Sequence, residues 1–404
     1  MNENMHWTGI WGNAISIGEN RPEHYAKNIT LCYKIHVPFD VTGIKLKFDN
    51  YCGRESITLS KVVIVKADKF EALAHSPAVT EKLTGAKFYP VTFAGKTEGV
   101  MEAGGEIISD AVEVSFKGGE DFEVRFYLAD FTEMRSAVFV QGPLSNSNYY
   151  MIGDQTEAAS VPIEIGKRTH MDYFLTDVLG LTDNKNRTLV CYGDSITAQD
   201  WPDYLQLKLE EKFNANGEWN NHIAVTRKAS SGTRILREYA DIVYESYGLK
   251  GERRFEHEMA KAAEPGDMVI IQHGINDIIH PVGYEVNGFR PTSDMPTAEE
   301  MEEGIKYYLK QCRDYGYKVY LGALLPIEGW RTFEPFRDVV RQEFNNWMKT
   351  TDLADGYIDF DAATRGEENP IRFAKEMDSG DHLHPSARGY EAMAEEVVRT
   401  LFDN

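Results

Sequence analysis

From residue 188 to the end of the chain, short continuous apolar runs alternate with apolar stripes spaced every three or four residues. Thr188-Leu-Val-Cys-Tyr192, Asp267-Met-Val-Ile-Ile271, Lys318-Val-Tyr-Leu-Gly-Ala-Leu-Leu325 and Tyr357-Ile-Asp-Phe360 read as buried strands. Between them, Trp201, Leu205, Leu209 and Phe213 mark one helix face. Thr297-Ala-Glu-Glu300 is a capping box. It opens a helix with the stripe Met301, Ile305, Tyr308, Leu309 and Cys312, ended by Gly316. Ser386 caps a last helix whose stripe is Tyr390, Met393, Ala394, Val397, Val398 and Leu401. Alternating strand and helix predicts a parallel sheet covered on both faces. Such a sheet gathers functional groups at the carboxyl ends of its strands.

The first part of the chain has a different period. Ile44-Lys-Leu-Lys-Phe48 alternates strictly, and Ile57–Val65, Val112–Phe116, Phe122–Phe126 and Ala137–Val140 are further short β-rich runs. Turn residues separate them, as at Asp49-Asn50, Gly104-Gly105 and Gly118-Gly119. Many short strands with turn signals predict a sandwich or jelly roll. With 404 residues, two domains are expected. The period predicts an all-β domain over 1–165, a polar linker over 166–187 and an α/β domain over 188–404.

A net charge of −21 argues against nucleic acid and anionic membrane surfaces as partners. Cys32, Cys52, Cys191 and Cys312 have no metal-like spacing, and Cys191 and Cys312 sit in apolar patterns as core thiols. The start, Met1-Asn-Glu-Asn-Met-His-Trp7, lacks the basic and apolar segments of a signal peptide, and no run is long enough to span a bilayer. A cytoplasmic location is expected, with no metal and no cofactor; oligomeric state is left open.

Four segments fall at strand ends or close the domain. Gly193-Asp-Ser195 follows the first strand of the second domain and precedes a helix, the kind of turn that presents a nucleophile. Ala229-Ser-Ser-Gly-Thr-Arg234 and Gly274-Ile-Asn-Asp277 follow, then Asp381-His-Leu-His384-Pro385. A serine hydroxyl needs a base, an orienter for that base and an oxyanion site. His384 can take the Ser195 proton, and Asp381, three residues earlier, can reach its second ring nitrogen. Asp378 is a rival orienter at longer spacing. The Ser195 and Gly232 backbone N–H groups and the Asn276 amide can form an oxyanion hole. Asp194 is expected to hold the turn or Asn276, and it also stands among the candidate substrate contacts. His273 and Asp277 flank Asn276 as supports.

These four blocks resemble those of the SGNH (GDSL-type) hydrolase family. Gly193-Asp-Ser195-Ile-Thr is similar to its first block, Ser231-Gly232-Thr-Arg to its second, Gly274-Ile-Asn276-Asp277 to its third and Asp381-His-Leu-His384-Pro to its fifth. The likeness covers about 185–404. It departs in having Ile after Gly-Asp-Ser where Leu is usual, and in lacking an Asn shortly before Gly232. The resemblance implies a flavodoxin-like three-layer α/β/α hydrolase domain and a Ser195–His384–Asp381 triad. Trp7-Thr-Gly-Ile-Trp11 and Phe48-Asp-Asn-Tyr-Cys-Gly53 are similar to a jelly-roll-like β-sandwich that precedes some of these hydrolases.

Rim candidates complete the reading. His280–Pro291 is a polar-aromatic insertion after the Asn276 block, where Tyr284, Phe289 and Arg290 can contact a sugar. Trp330 and His382 are further substrate candidates. The expected activity is hydrolysis of short acyl esters, acetyl above all, on a carbohydrate; the carbohydrate is what the resemblance implies. The expected partner is a small-molecule or oligosaccharide ester. The alternatives are a lysophospholipase or thioesterase for longer chains, and a non-catalytic carbohydrate-binding protein.

Overall fold

A computed structural model describes residues 4–18, 25–75, 78–145, 148–239, 247–259, 264, 266–283 and 290–403. The chain divides into two compact units. One comprises Met1–Asn186 with Phe213–Ala224, the other Arg187–Lys212 with Val225–Asn404.

The first unit is all-β. A four-stranded antiparallel sheet runs in the order Met5–Gly12, Leu175–Asp183, Gly43–Asp49, Glu106–Ile108. A nine-stranded antiparallel sheet has Lys61–Lys66, Asp121–Leu128, Ile29–His36 and Tyr149–Ile152 at its centre. Inward residues of the two sheets share one core, in which Leu46, Phe48 and Val178 meet Leu31, Tyr33, Val62, Ile64 and Phe126. Phe126 packs edge-on against both Phe48 and Tyr33, with ring centroids at 5.3 and 5.4 Å. Two facing sheets with a shared apolar interior make this a sandwich-like unit.

Two stretches differ from expectation. Val112–Phe116 alternates but forms only isolated bridges, Val112 to Ile44 and Phe116 to Val41. The partners are three residues apart on one side and four on the other, so an extra residue breaks the ladder. Residues 166–187 are not irregular: they contain the strands Gly166–Arg168, Met171–Tyr173 and Leu175–Asp183. The last pairs with Met5–Gly12 on one side and Gly43–Asp49 on the other. Its inward positions include Gly180, where a Cβ would lie 2.6 Å from Val41 Cγ1 and 2.9 Å from Ile10 Cγ2. Leu179 and Leu181 stand on the opposite, half-buried face, so the strand's sequence shows no clean alternation.

The second unit is α/β. Its five-stranded sheet has the order Ile223–Ala229, Arg187–Gly193, Met268–Gln272, Lys318–Gly322, Gly356–Ile358. The last four strands pair in parallel. Every residue of Met268–Gln272 is buried, as a strand covered on both faces requires. The capping box forms at the helix Ala298–Tyr315, and Gly316 ends it at φ 91°. Met301, Ile305, Tyr308, Leu309 and Cys312 are its buried face. Ser386 caps Ala387–Leu401 by accepting from Gly389 N. Cys191 and Cys312 are buried free thiols. Among the described residues, no helix is long and apolar enough to cross a membrane.

Candidate active site

The strand Arg187–Gly193 delivers Ser195 to the first position of the short helix Ser195–Ala198. Asp194 caps that helix, its Oδ1 accepting from Ile196 N at 3.1 Å. Gly193 is required by close approach: a Cβ there would lie 2.3 Å from Gln272 O and 2.4 Å from Thr197 Oγ1. The Gly193 carbonyl accepts from Ser230 N at 3.2 Å and from Arg254 Nη1 at 3.0 Å. The turn is therefore held by the strands and helix around it.

Ser195 Oγ lies 2.9 Å from His384 Nε2. His384 Nδ1 lies 2.7 Å from Asp381 Oδ2, and Asp381 Oδ1 accepts from His384 N at 2.8 Å and Leu383 N at 2.9 Å. An ionised carboxylate only accepts, so the ring proton sits on Nδ1 and Nε2 is the acceptor for the serine hydroxyl. Burial works to raise the Asp381 pKa, but the His384 ring and backbone and Leu383 N hold it well below the ordinary carboxylate range. Asp378 does not serve His384. It takes His382 instead, with its Oδ2 2.5 Å from His382 Nδ1 and its Oδ1 accepting from His382 N at 3.1 Å.

Asn276 lies in the helix Ile275–Ile279, and its Nδ2 donates to Thr233 O at 3.1 Å. One amide hydrogen is thus used to fix the group. Asp277 accepts from Ile235 N at 2.7 Å and Leu236 N at 3.0 Å. Burial lifts its pKa to about 6 against those two bonds. Gly232 has φ 80°, and a Cβ there would meet Tyr247 at 2.5 Å, so only glycine suits the position. Burial, then the charge of Arg254, lowers His273 to about 3, leaving a neutral ring whose Nε2 is 3.0 Å from Thr233 Oγ1.

Asp194 is fully buried. Burial raises its pKa to about 7, while the Ile196 N–H and the charges of His384 and Arg254 oppose the rise. Its place is beneath the serine turn, which suits a cap better than the substrate contact also considered for it. His382 has φ 64° and packs on Gly329, where a Cβ would come within 2.7 Å of its ring. Arg331 lies over the Trp330 ring at 4.7 Å. Thr332 Oγ1 donates to Ile279 O at 2.8 Å, joining that loop to the Asn276 helix. The Arg290 carbonyl accepts from Val282 N and Gly283 N at 3.0 and 3.2 Å. Tyr284 and Phe289 lie outside the described residues.

Sequence reasoning missed Arg254. Its buried guanidinium bonds Gly193 O, Lys228 O and Thr233 Oγ1 at 2.8–3.0 Å and pairs with Glu258 at 3.1 Å. It ties the ends of two strands to the turn after the second. Its helix is strongly polar, and the clue available was the Arg254–Glu258 spacing of four beside Phe255 and Met259.

A Gly-Asp-Ser turn at the carboxyl end of a sheet strand, with a histidine on a late loop beside it, is the arrangement of an SGNH-type ester hydrolase. The chain belongs to the GDSL-like lipase/acylhydrolase family, whose model matches residues 191–392. Solved structures with a similar fold include a GDSL-like lipase from Bacteroides thetaiotaomicron, at 17% identity, covering 54% of this chain and 87% of that one, with a TM-score of 0.33. A catalytic mutant of an acetylxylan esterase from Geobacillus stearothermophilus is 17% identical, covering 54% and 95%, with a TM-score of 0.40. No curated protein matches the chain.

Proposed function

We propose that the protein is a serine esterase that removes a short acyl group, acetyl, from a carbohydrate. The observation that carries the ester chemistry is the continuous chain Ser195 Oγ, His384, Asp381, with contacts of 2.9 and 2.7 Å. In this reading Ser195 attacks the ester carbonyl as His384 Nε2 takes its proton. Asp381 holds the ring and stabilises the imidazolium. The Asn276 amide and the Ser195 and Gly232 N–H groups receive the oxyanion. His384 then protonates the leaving sugar hydroxyl. Water, activated by the same ring, releases the acid from Ser195.

The carbohydrate reading is supported by the polar and aromatic character of Trp330, Arg331 and His382 on the neighbouring loops. Acetate release from a panel of acetylated oligosaccharides, with Ser195→Ala as control, tests the proposal. Release by the natural protein and its loss in the variant are expected. Faster turnover of p-nitrophenyl octanoate than of p-nitrophenyl acetate would reject the short-chain assignment.

A further inference from the structure

The unit formed by Met1–Asn186 and Phe213–Ala224 contains a cavity of about 480 Å3. That volume lies within the range of small-ligand sites. Trp219 and the buried Phe39 are its aromatic lining. Trp219 is 39% exposed, so part of its indole faces the opening of the cavity. Its indole is also pinned. Nε1 donates to Pro38 O at 2.9 Å, and the ring lies on the Gly118-Gly119 turn. A Cβ on Gly118 would stand 1.9 Å from Nε1, and one on Gly119 2.6 Å from Cζ3. Asn221, beside it, is fixed by Nδ2 bonds of 2.9 Å to Pro38 O and Ile223 O. An exposed aromatic held rigid on both its edge and its face is preorganised for contact.

The remaining lining sets the class of ligand. Asp40 and Asp183 balance Lys117 and Lys185, so the wall carries both signs and no surplus of either. Lys117 Nζ sits 2.5 Å from Asp40 Oδ2, and Gly118 N donates to Asp40 Oδ1 at 3.0 Å. Asn220 adds an amide, one of whose hydrogens is on Glu218 O at 3.3 Å, while both amide hydrogens of Asn221 are spent on Pro38 O and Ile223 O. Met5 and Phe39 add apolar surface beside Trp219, so the lining is of mixed character: a single-sign ligand would need a charge surplus, and a pure hydrocarbon would leave the charged and amide groups unmatched. A ring with apolar C–H faces and an edge of hydroxyls, each both donor and acceptor, matches a flat indole flanked by the Asn220 amide and a balanced ion pair.

We infer that this cavity is a second, non-catalytic binding site for a neutral oligosaccharide, with Trp219 as the stacking platform. It stands apart from the ester reading of Ser195, because none of its residues takes part in that chemistry.

Calorimetric titration of the full-length protein with xylohexaose, cellohexaose and mannohexaose, none of which carries an ester, tests it. Binding of at least one, with a change in tryptophan fluorescence, is expected. Trp219→Ala should weaken that binding about tenfold or more, the scale of one lost aromatic contact. Asn220→Ala should weaken it about threefold, the scale of a lost hydrogen bond. Because Trp219→Ala also removes packing, the Asn220 variant keeps the test decisive. Both variants should hydrolyse p-nitrophenyl acetate as the natural protein does, and the bound sugar should not compete with that ester. No heat from any of the three sugars, unchanged affinity in both variants, or tighter binding of an oligogalacturonate than of all three would overturn the inference. Ester hydrolysis and sugar heat are separate readouts, so failure of one reading is distinguishable from failure of the other.

Discussion

Asp381 grips His384 at two points, the ring through Oδ2 and the backbone through Oδ1, while Asp378, three residues before it, grips His382 in the same two ways. Two Asp–His pairs thus interleave in one loop, and only one of them touches Ser195. Asp381→Asn presents an amide that can donate to Nδ1 and favour the wrong tautomer. Its kcat on p-nitrophenyl acetate should fall by roughly 10³-fold or more. Asp378→Asn should cost less than about tenfold, because it acts on the His382 side of the loop. Equal losses in the two variants would mean that the pairs are not distinct in function.

Asp194 makes stability depend on pH. Its folded pKa, about 7, lies above the unfolded value of 3.8. Between those values the folded state holds more protons than the unfolded one, so stability falls as pH rises through that window and levels off above about 7. The fall attributable to this group is on the order of a few kcal/mol. Asp194→Asn keeps a side-chain oxygen for Ile196 N and has no charge to bury. Thermal melts from pH 5 to 8 should show a shallower decline in this variant than in the natural protein.

Gly193→Ala places a methyl against backbone that cannot yield, since the nearest atom is the Gln272 carbonyl in the adjacent strand. A loss of about 1–3 kcal/mol is expected in urea denaturation. Activity should fall with it, because the displaced turn carries Ser195.

Arg254→Met keeps an apolar stem but removes the guanidinium from the buried Glu258 carboxylate and from the carbonyls of Gly193 and Lys228. Removing one partner of a buried pair costs about 3–5 kcal/mol. The denaturation midpoint should drop accordingly, and Arg254→Lys, which cannot span the same acceptors, should recover only part of it.

The α/β unit was readable because its signals are local. Thr297 and Glu300 are three residues apart, and Met301 to Cys312 repeats at helical spacing, so neither needs knowledge of the partner element. The strand Leu175–Asp183 was hidden for the opposite reason. Gly180 faces inward because Val41 and Ile10 leave no room for a side chain, and that crowding comes from residues more than a hundred positions away. The same holds at the site. Ser195, Asn276 and His384 stand in short recognisable blocks, whereas Arg254 matters only through carbonyls that the fold brings to it. The split between Asp378 and Asp381 likewise rests on loop geometry beyond the spacing alone.

Asn276 and Asp277 are neighbours that fasten to different points of the turn after the second strand, Thr233 on one side and Ile235 and Leu236 on the other. The amide and the Gly232 loop are therefore spliced into a single piece, independent of what is attached at Val282 and beyond. Insertions and substitutions can accumulate in that outer stretch without re-aiming the amide. On the proposed ester reading, changes there would alter which substrate is accepted before they altered the chemistry done on it.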